Sequence, residues 1–73
     1  MAKTEVPPDP LSPREREVLQ LVVEGKTTRE AARLLGVTVR TVGTHRERIM
    51  KKLDIHETTG LVRYAIRRRL IQP

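Results

Sequence analysis

The sequence has no cysteine, tryptophan or phenylalanine, and its aromatic content is the single Tyr64. The lack of cysteine excludes disulfides and thiolate metal sites. His45 and His56 have no companion at ligand spacing, so no zinc site follows from them either. One tyrosine cannot make the aromatic platform that grips single-stranded nucleic acid. No apolar run exceeds three residues, as in Leu21-Val22-Val23, far short of a signal-peptide core or a membrane span. Acidic residues are in deficit: 9 Asp and Glu against 15 Lys and Arg leave a net charge of +6 over 73 residues. Such an excess favours a polyanionic partner. A chain this short holds one small domain, which buries only about 60% of its unfolded surface. Its core has to come from Leu, Val, Ile and Ala, as in helix bundles.

Four of the five prolines fall within the first thirteen residues. Pro7, Pro8 and Pro10 bias residues 1–10 toward an extended spacer, either a flexible tail or the end of an interdomain linker. Residues 11–73 read as one helical domain. Ser12-Pro13-Arg14-Glu15 is a capping box with proline at the first helical position. Val18, Leu19, Leu21, Val22 and Val23 form a broad apolar face and Gly25 supplies a stop, which predicts a helix over about 13–24. Thr27 and Glu30 repeat the box, and Ala31, Ala32, Leu34, Leu35 and Gly36 complete a short helix over about 28–35. Thr38 caps a third helix over about 39–53, with Val39, Val42, Ile49, Met50 and Leu53 as its apolar stripe and Asp54 just beyond it. A fourth helix, about 58–68, carries Leu61, Val62, Ala65 and Ile66, with Arg63, Arg67, Arg68 and Arg69 toward its end.

Two short helices joined by a Gly-containing turn, the second with a polar and basic outer face, describe a helix-turn-helix. That face holds Arg40, Thr44, Glu47, Arg48 and Lys51, with Gly43 at its flank. The major groove of B-DNA, about 12 Å wide, admits one such helix, while the preceding helix crosses the backbone. A charged helix face by itself is most often just solvated. The total charge, the tight turn and the flanking helices are what strengthen the DNA-binding reading.

The blocks Leu11-Ser12-Pro13-Arg14-Glu15-Arg16-Glu17-Val18-Leu19, Gly25-Lys26, Ala31-Ala32-Arg33-Leu34-Leu35-Gly36-Val37, Thr41-Val42, Thr44-His45, Ile49-Met50, Lys52-Leu53 and Leu61-Val62-Arg63-Tyr64-Ala65 follow one another in order. Residues 11–71, which contain them, resemble the LuxR-type (NarL/FixJ-like) DNA-binding domain. The resemblance implies an all-α, compact four-helix domain of a cytoplasmic transcription regulator that works without a cofactor. It also implies sequence-specific binding of double-stranded DNA, with helix 39–53 in the major groove and helix 58–68 pairing two subunits. Such domains usually form the output end of response regulators in two-component systems, or of quorum sensors. Carried over position by position, the base-reading face falls on Arg40, Gly43, Thr44 and Glu47. Phosphate contacts fall on Thr28, Thr41, His45, Arg48, Lys51 and Lys52, and subunit pairing on Leu61, Val62, Ala65 and Ile66. The expected partners are duplex DNA, a second copy in a weak or DNA-dependent homodimer, and RNA polymerase.

The chain departs from the family pattern at several positions. Gly43 stands where a longer, often charged residue is usual, and Glu47 places an anion on the DNA-facing side. Glu57 and Gly60 remove a capping box from the fourth helix, and Arg69 replaces a glycine near its end. A σ-factor region-four-like module shares the Arg-Glu-Arg-Glu-Val-Leu opening and is the nearest alternative. A protein-interaction domain is the alternative of another class. An enzyme finds no support: there is no Gly-rich phosphate loop and no nucleophile with a positioned base.

Overall fold

Three of the four helices begin at a residue whose side chain closes the first turn. In the computed structural model, which describes residues 10–68, the helices are α1 (Pro13–Val23), α2 (Thr28–Leu35), α3 (Val39–Leu53) and α4 (Thr58–Arg67). Ser12 Oγ accepts the Glu15 N–H at 3.2 Å, and Glu15 Oε1 accepts the Ser12 N–H at 3.0 Å. Thr27 and Glu30 make the same reciprocal pair at 3.0 and 2.8 Å. The bond from the Thr27 N–H, helped by the charges of Lys26 and Arg33, holds the Glu30 carboxyl below its ordinary value. Thr38 Oγ1 accepts the Thr41 N–H at 3.0 Å. Each cap of this kind contributes about 1 kcal/mol. Helix α4 has none, because the Glu57 side chain bonds no backbone N–H of the first turn.

The helix ends follow from backbone geometry. Gly36 closes α2 at φ 70° and Asp54 closes α3 at φ 55°, both left-handed. Helices α1 and α4 each stop one residue before the expected end, and Glu24 and Arg68 serve as their C-caps. Residues 1–9 and 69–73 lie outside the described residues, and with them all of the expected spacer except Pro10, and also Arg69.

The core joins Val18, Leu19 and Val22 of α1 to Ala31 and Ala32 of α2, Val42 and Ile49 of α3, and Leu61 and Ala65 of α4, with Leu11 covering one end. Helix α1 packs against each of the other three, and α2 also packs against α3. Three large apolar residues stand exposed, Leu34 at 61% and, from the expected stripes of α3 and α4, Val39 at 49% and Ile66 at 41%. For Leu34 the reason is angular. The inward side of α2 is centred between Ala31 and Ala32, which turns Leu35 inward and Leu34 out. Leu34 instead lines an open groove of about 320 Å³ with Leu35 and with Glu17, Gln20 and Leu21 of α1.

Gly60 has a packing reason that the sequence does not display. A Cβ there would lie 2.6 Å from Cγ2 of Ile55, so the bare position lets the half-buried Ile55 fold onto the first turn of α4. Absence of a side chain thus serves the α3–α4 turn even though it removes a cap partner.

Candidate nucleic-acid interface

Only Gly36, Val37 and Thr38 separate α2 from α3. The left-handed Gly36 reverses the chain, the Val37 N–H bonds back to Ala32 O at 3.0 Å, and Val37 packs on the core. Thr38 then caps α3 at once, so the second helix leaves the first at a fixed angle. On α3 the buried Val42 and Ile49 define which side faces inward. At about 100° per residue, Arg40, Thr44, Glu47 and Lys51 fall in one line on the opposite side. All four are exposed, as is the neighbouring Arg48. The side chains of Arg40, Glu47, Arg48 and Lys51 make no ion pair or hydrogen bond among the described residues. Gly43 lies half-buried at the flank of this line.

The other flank holds Thr41 and His45, both half-buried. The Thr38 hydroxyl donates to Thr41 Oγ1 at 3.0 Å, which leaves the Thr41 hydroxyl proton for an outside acceptor. His45 buries Nδ1 without a partner, so Nε2 is the nitrogen left to meet a ligand. Thr28 occupies the first position of α2, where helix N–H groups are unpaired and favour an anion.

Lys52 is placed differently from its neighbour Lys51. Its Nζ lies 2.7 Å from Glu15 Oε1 and 3.5 Å from Pro10 O, and so ties the last turn of α3 to the start of α1. Glu15 is only 3% exposed. Burial pushes its carboxyl up, but the bond from Lys52, the Ser12 N–H and the Lys52 charge outweigh this and hold it below the ordinary value. The ammonium of Lys52 is therefore engaged within the domain. This pairing was missed in the sequence, where Glu15 reads simply as a capping residue. Its position three and four residues before the core positions Val18 and Leu19 was the available sign that it faces inward.

The four expected pairing residues divide. Leu61 and Ala65 are 1% and 0% exposed, inside the domain's own core, whereas Val62 is half-buried and Ile66 exposed. Arg63 and Arg67 stand exposed beside them. The Arg68 guanidinium instead lies 5.8 Å from the Tyr64 ring centre. Among the described residues no cluster of potential ligands could hold a metal ion, and no helix is long and apolar enough to cross a membrane.

An ideal Cβ on Gly43 meets no atom within 4 Å. The domain's own packing does not call for glycine there, and glycine inside a helix costs about 0.5–1 kcal/mol relative to alanine. Gly43→Ala is therefore expected to stabilise the domain by that amount and to raise Tm by a few degrees in thermal melts.

A tight α2–α3 turn, with a basic outer face on α3 and a fourth helix closing the core, makes this a four-helix helix-turn-helix domain. Residues 9–65 match the family described as bacterial regulatory proteins, luxR family. The chain belongs to that family. The transcriptional regulatory protein MctR of Rhizobium johnstonii is 52% identical over 58 residues, which are 80% of this chain and 27% of that protein. The transcriptional regulatory protein LiaR of Bacillus subtilis is 41% identical over 66 residues, 90% of this chain and 31% of LiaR. Among solved structures, the response regulator ChrA of a heme-sensing two-component system superposes with a TM-score of 0.77 at 36% identity, covering 90% of this chain and 33% of ChrA. The chain thus spans about a third or less of each of these relatives.

Proposed function

We propose that the chain binds duplex DNA as the output domain of a transcription regulator, in the cytoplasm and without catalysis. The observation that carries this reading is the outward line of α3, where Arg40, Thr44, Glu47 and Lys51 stand exposed opposite a buried Val42–Ile49 side. With α3 in the major groove, Arg40, Gly43, Thr44 and Glu47 meet base edges. Thr28, Thr41, His45, Arg48 and Lys51 meet phosphates on either side. Lys52 serves the fold through Glu15 and does not join them. The two phosphate-facing cations, Arg48 and Lys51, which have no partner among the described residues, give a log–log salt slope of about −1.8 per subunit, at about −0.9 for each phosphate neutralised. Lys51→Ala is expected to weaken binding to every sequence alike and to flatten the slope by about one unit. Fluorescence anisotropy on a labelled duplex over a salt series measures both. Binding indifferent to salt would refute the reading.

Pairing through α4 rests on Val62 and Ile66, a patch far below the roughly 1,200 Å² of stable complexes. Exposed Arg63 and Arg67 would face their symmetry mates and repel, whereas DNA neutralises them. The expected behaviour is a monomer in solution that pairs on two half-sites about one helical turn apart. Sedimentation at micromolar concentration tests this: a stable dimer without DNA contradicts it, and so does a palindromic duplex that saturates at one subunit.

A further inference from the structure

The outward line of α3 contains one carboxylate, and nothing inside the domain accounts for it. Glu47 is exposed and makes no ion pair among the described residues, although Lys51 stands at the helical spacing that favours pairing. On a face that meets DNA, a carboxylate is repelled by phosphate, so it requires a donor in the groove to offset that cost. We propose that Glu47 reads the cytosine of a C·G base pair, and that the bare position at Gly43 gives it the room to do so. The inference rests on the DNA-binding reading above.

The choice of base follows from hydrogen-bond chemistry. An ionised carboxylate only accepts. In the major groove guanine presents two acceptors, and thymine an acceptor beside a methyl group. Adenine offers its N6 amino group next to the acceptor N7, which repels a carboxylate. Cytosine offers the N4 amino group with no acceptor beside it on the same base. Glu47 is therefore satisfied by cytosine, partly opposed by adenine, and opposed by guanine and thymine.

The geometry singles out Gly43. Side chains on a helix lean toward its N-terminus, so residue 47 covers the surface around residue 43. With no atom within 4 Å of a Cβ built there other than the helix's own adjoining backbone and chain neighbours, that patch is open. The carboxylate can lie close against the helix, between Arg40 and Lys51, and reach a base edge without pushing α3 away from the groove floor. Thr44, beside it, is too short to compete for the same edge.

Selection of bound duplexes from a random pool tests the proposal, using the chain itself, Glu47→Gln, Glu47→Ala and Gly43→Leu. Circular dichroism confirms that each variant is folded. The unsubstituted chain should hold one C·G position in each half-site, where another base pair weakens binding about tenfold. Glu47→Gln should shift that position toward adenine, which an amide can meet with two hydrogen bonds. Glu47→Ala should lose the preference there and keep it elsewhere, and Gly43→Leu should blur it by filling the patch. If the base profile is unchanged in both Glu47 variants while all sites bind more tightly, Glu47 only repels DNA and the proposal is overturned. Failure of every variant, and of the chain itself, to bind any duplex would overturn the DNA-binding reading instead.

Discussion

Truncating Ile49 to alanine should destabilise the domain by about 3–4 kcal/mol, a large share of what a domain this small has. Ile49 is 1% exposed at the middle of the inward side of α3, among the largest fully buried side chains. Removing this much buried hydrocarbon costs about 2–5 kcal/mol, the higher values applying where neighbours cannot collapse into the gap. Collapse is hard here because the other fully buried core residues, Val18, Leu19, Val42 and Leu61, are short or branched and none is aromatic. The total stability available is small, on the order of 0.05–0.15 kcal/mol per residue. Ile49→Val should cost about 1 kcal/mol, and Val39→Ala, at a 49% exposed position of the same helix, less than about 0.5 kcal/mol. Urea denaturation followed by circular dichroism ranks the three. An Ile49→Ala midpoint close to that of Val39→Ala would show that α3 is not anchored through this residue.

Replacing Lys52 by methionine should cost about 2 kcal/mol at neutral pH. Removing one partner of a fully buried ion pair costs about 3–5 kcal/mol. Here only Glu15 is buried, while the Lys52 side chain is 41% exposed, so water screens part of the loss. The pH dependence carries the signature. In the native domain the Glu15 carboxyl lies below its ordinary value. Its contribution is therefore fully present above that ordinary value, and is lost as pH falls through the lowered folded value. Without Lys52 the carboxyl loses its largest lowering influence while the burial that raises it stays, so its folded value rises relative to the unsubstituted domain and protonation relieves part of the defect. The deficit of Lys52→Met should thus be largest at neutral pH and shrink on acidification through the carboxylate range. A deficit constant with pH would show that Lys52 contributes its alkyl chain alone. Where the variant remains folded, the salt slope of DNA binding should stay unchanged, in contrast to Lys51→Ala.

The difference between Lys51 and Lys52 marks the boundary of what local pattern can reveal. Caps are chemistry between residues three apart, so Ser12–Glu15, Thr27–Glu30 and Thr38–Thr41 could be read directly, and the helix limits followed to within one residue. The outward line on α3 was equally legible, because Val42 and Ile49 fix its rotation. The Glu15–Lys52 pair joins residues 37 apart; helical spacing puts Lys52 off the outward line, but no local rule names its partner. Gly60 likewise reads as a lost cap until Ile55 is seen to occupy the space of its missing side chain. The apolar stripe of α4 shows that some face is buried. Only packing reveals that Leu61 and Ala65 serve the domain's own core, leaving Val62 and Ile66 at the surface.

The central claim is that α3 enters the groove, and amide chemical shifts of the isotope-labelled chain during titration with selected duplex DNA test it most directly. The largest changes should fall on Arg40, Gly43, Thr44 and Glu47, with a second set at Thr28 where α2 begins. Glu17, Gln20 and Leu34, which line the α1–α2 groove, should hardly move. Changes confined to that groove, with α3 silent, would contradict the assignment of α3 as the DNA-reading helix.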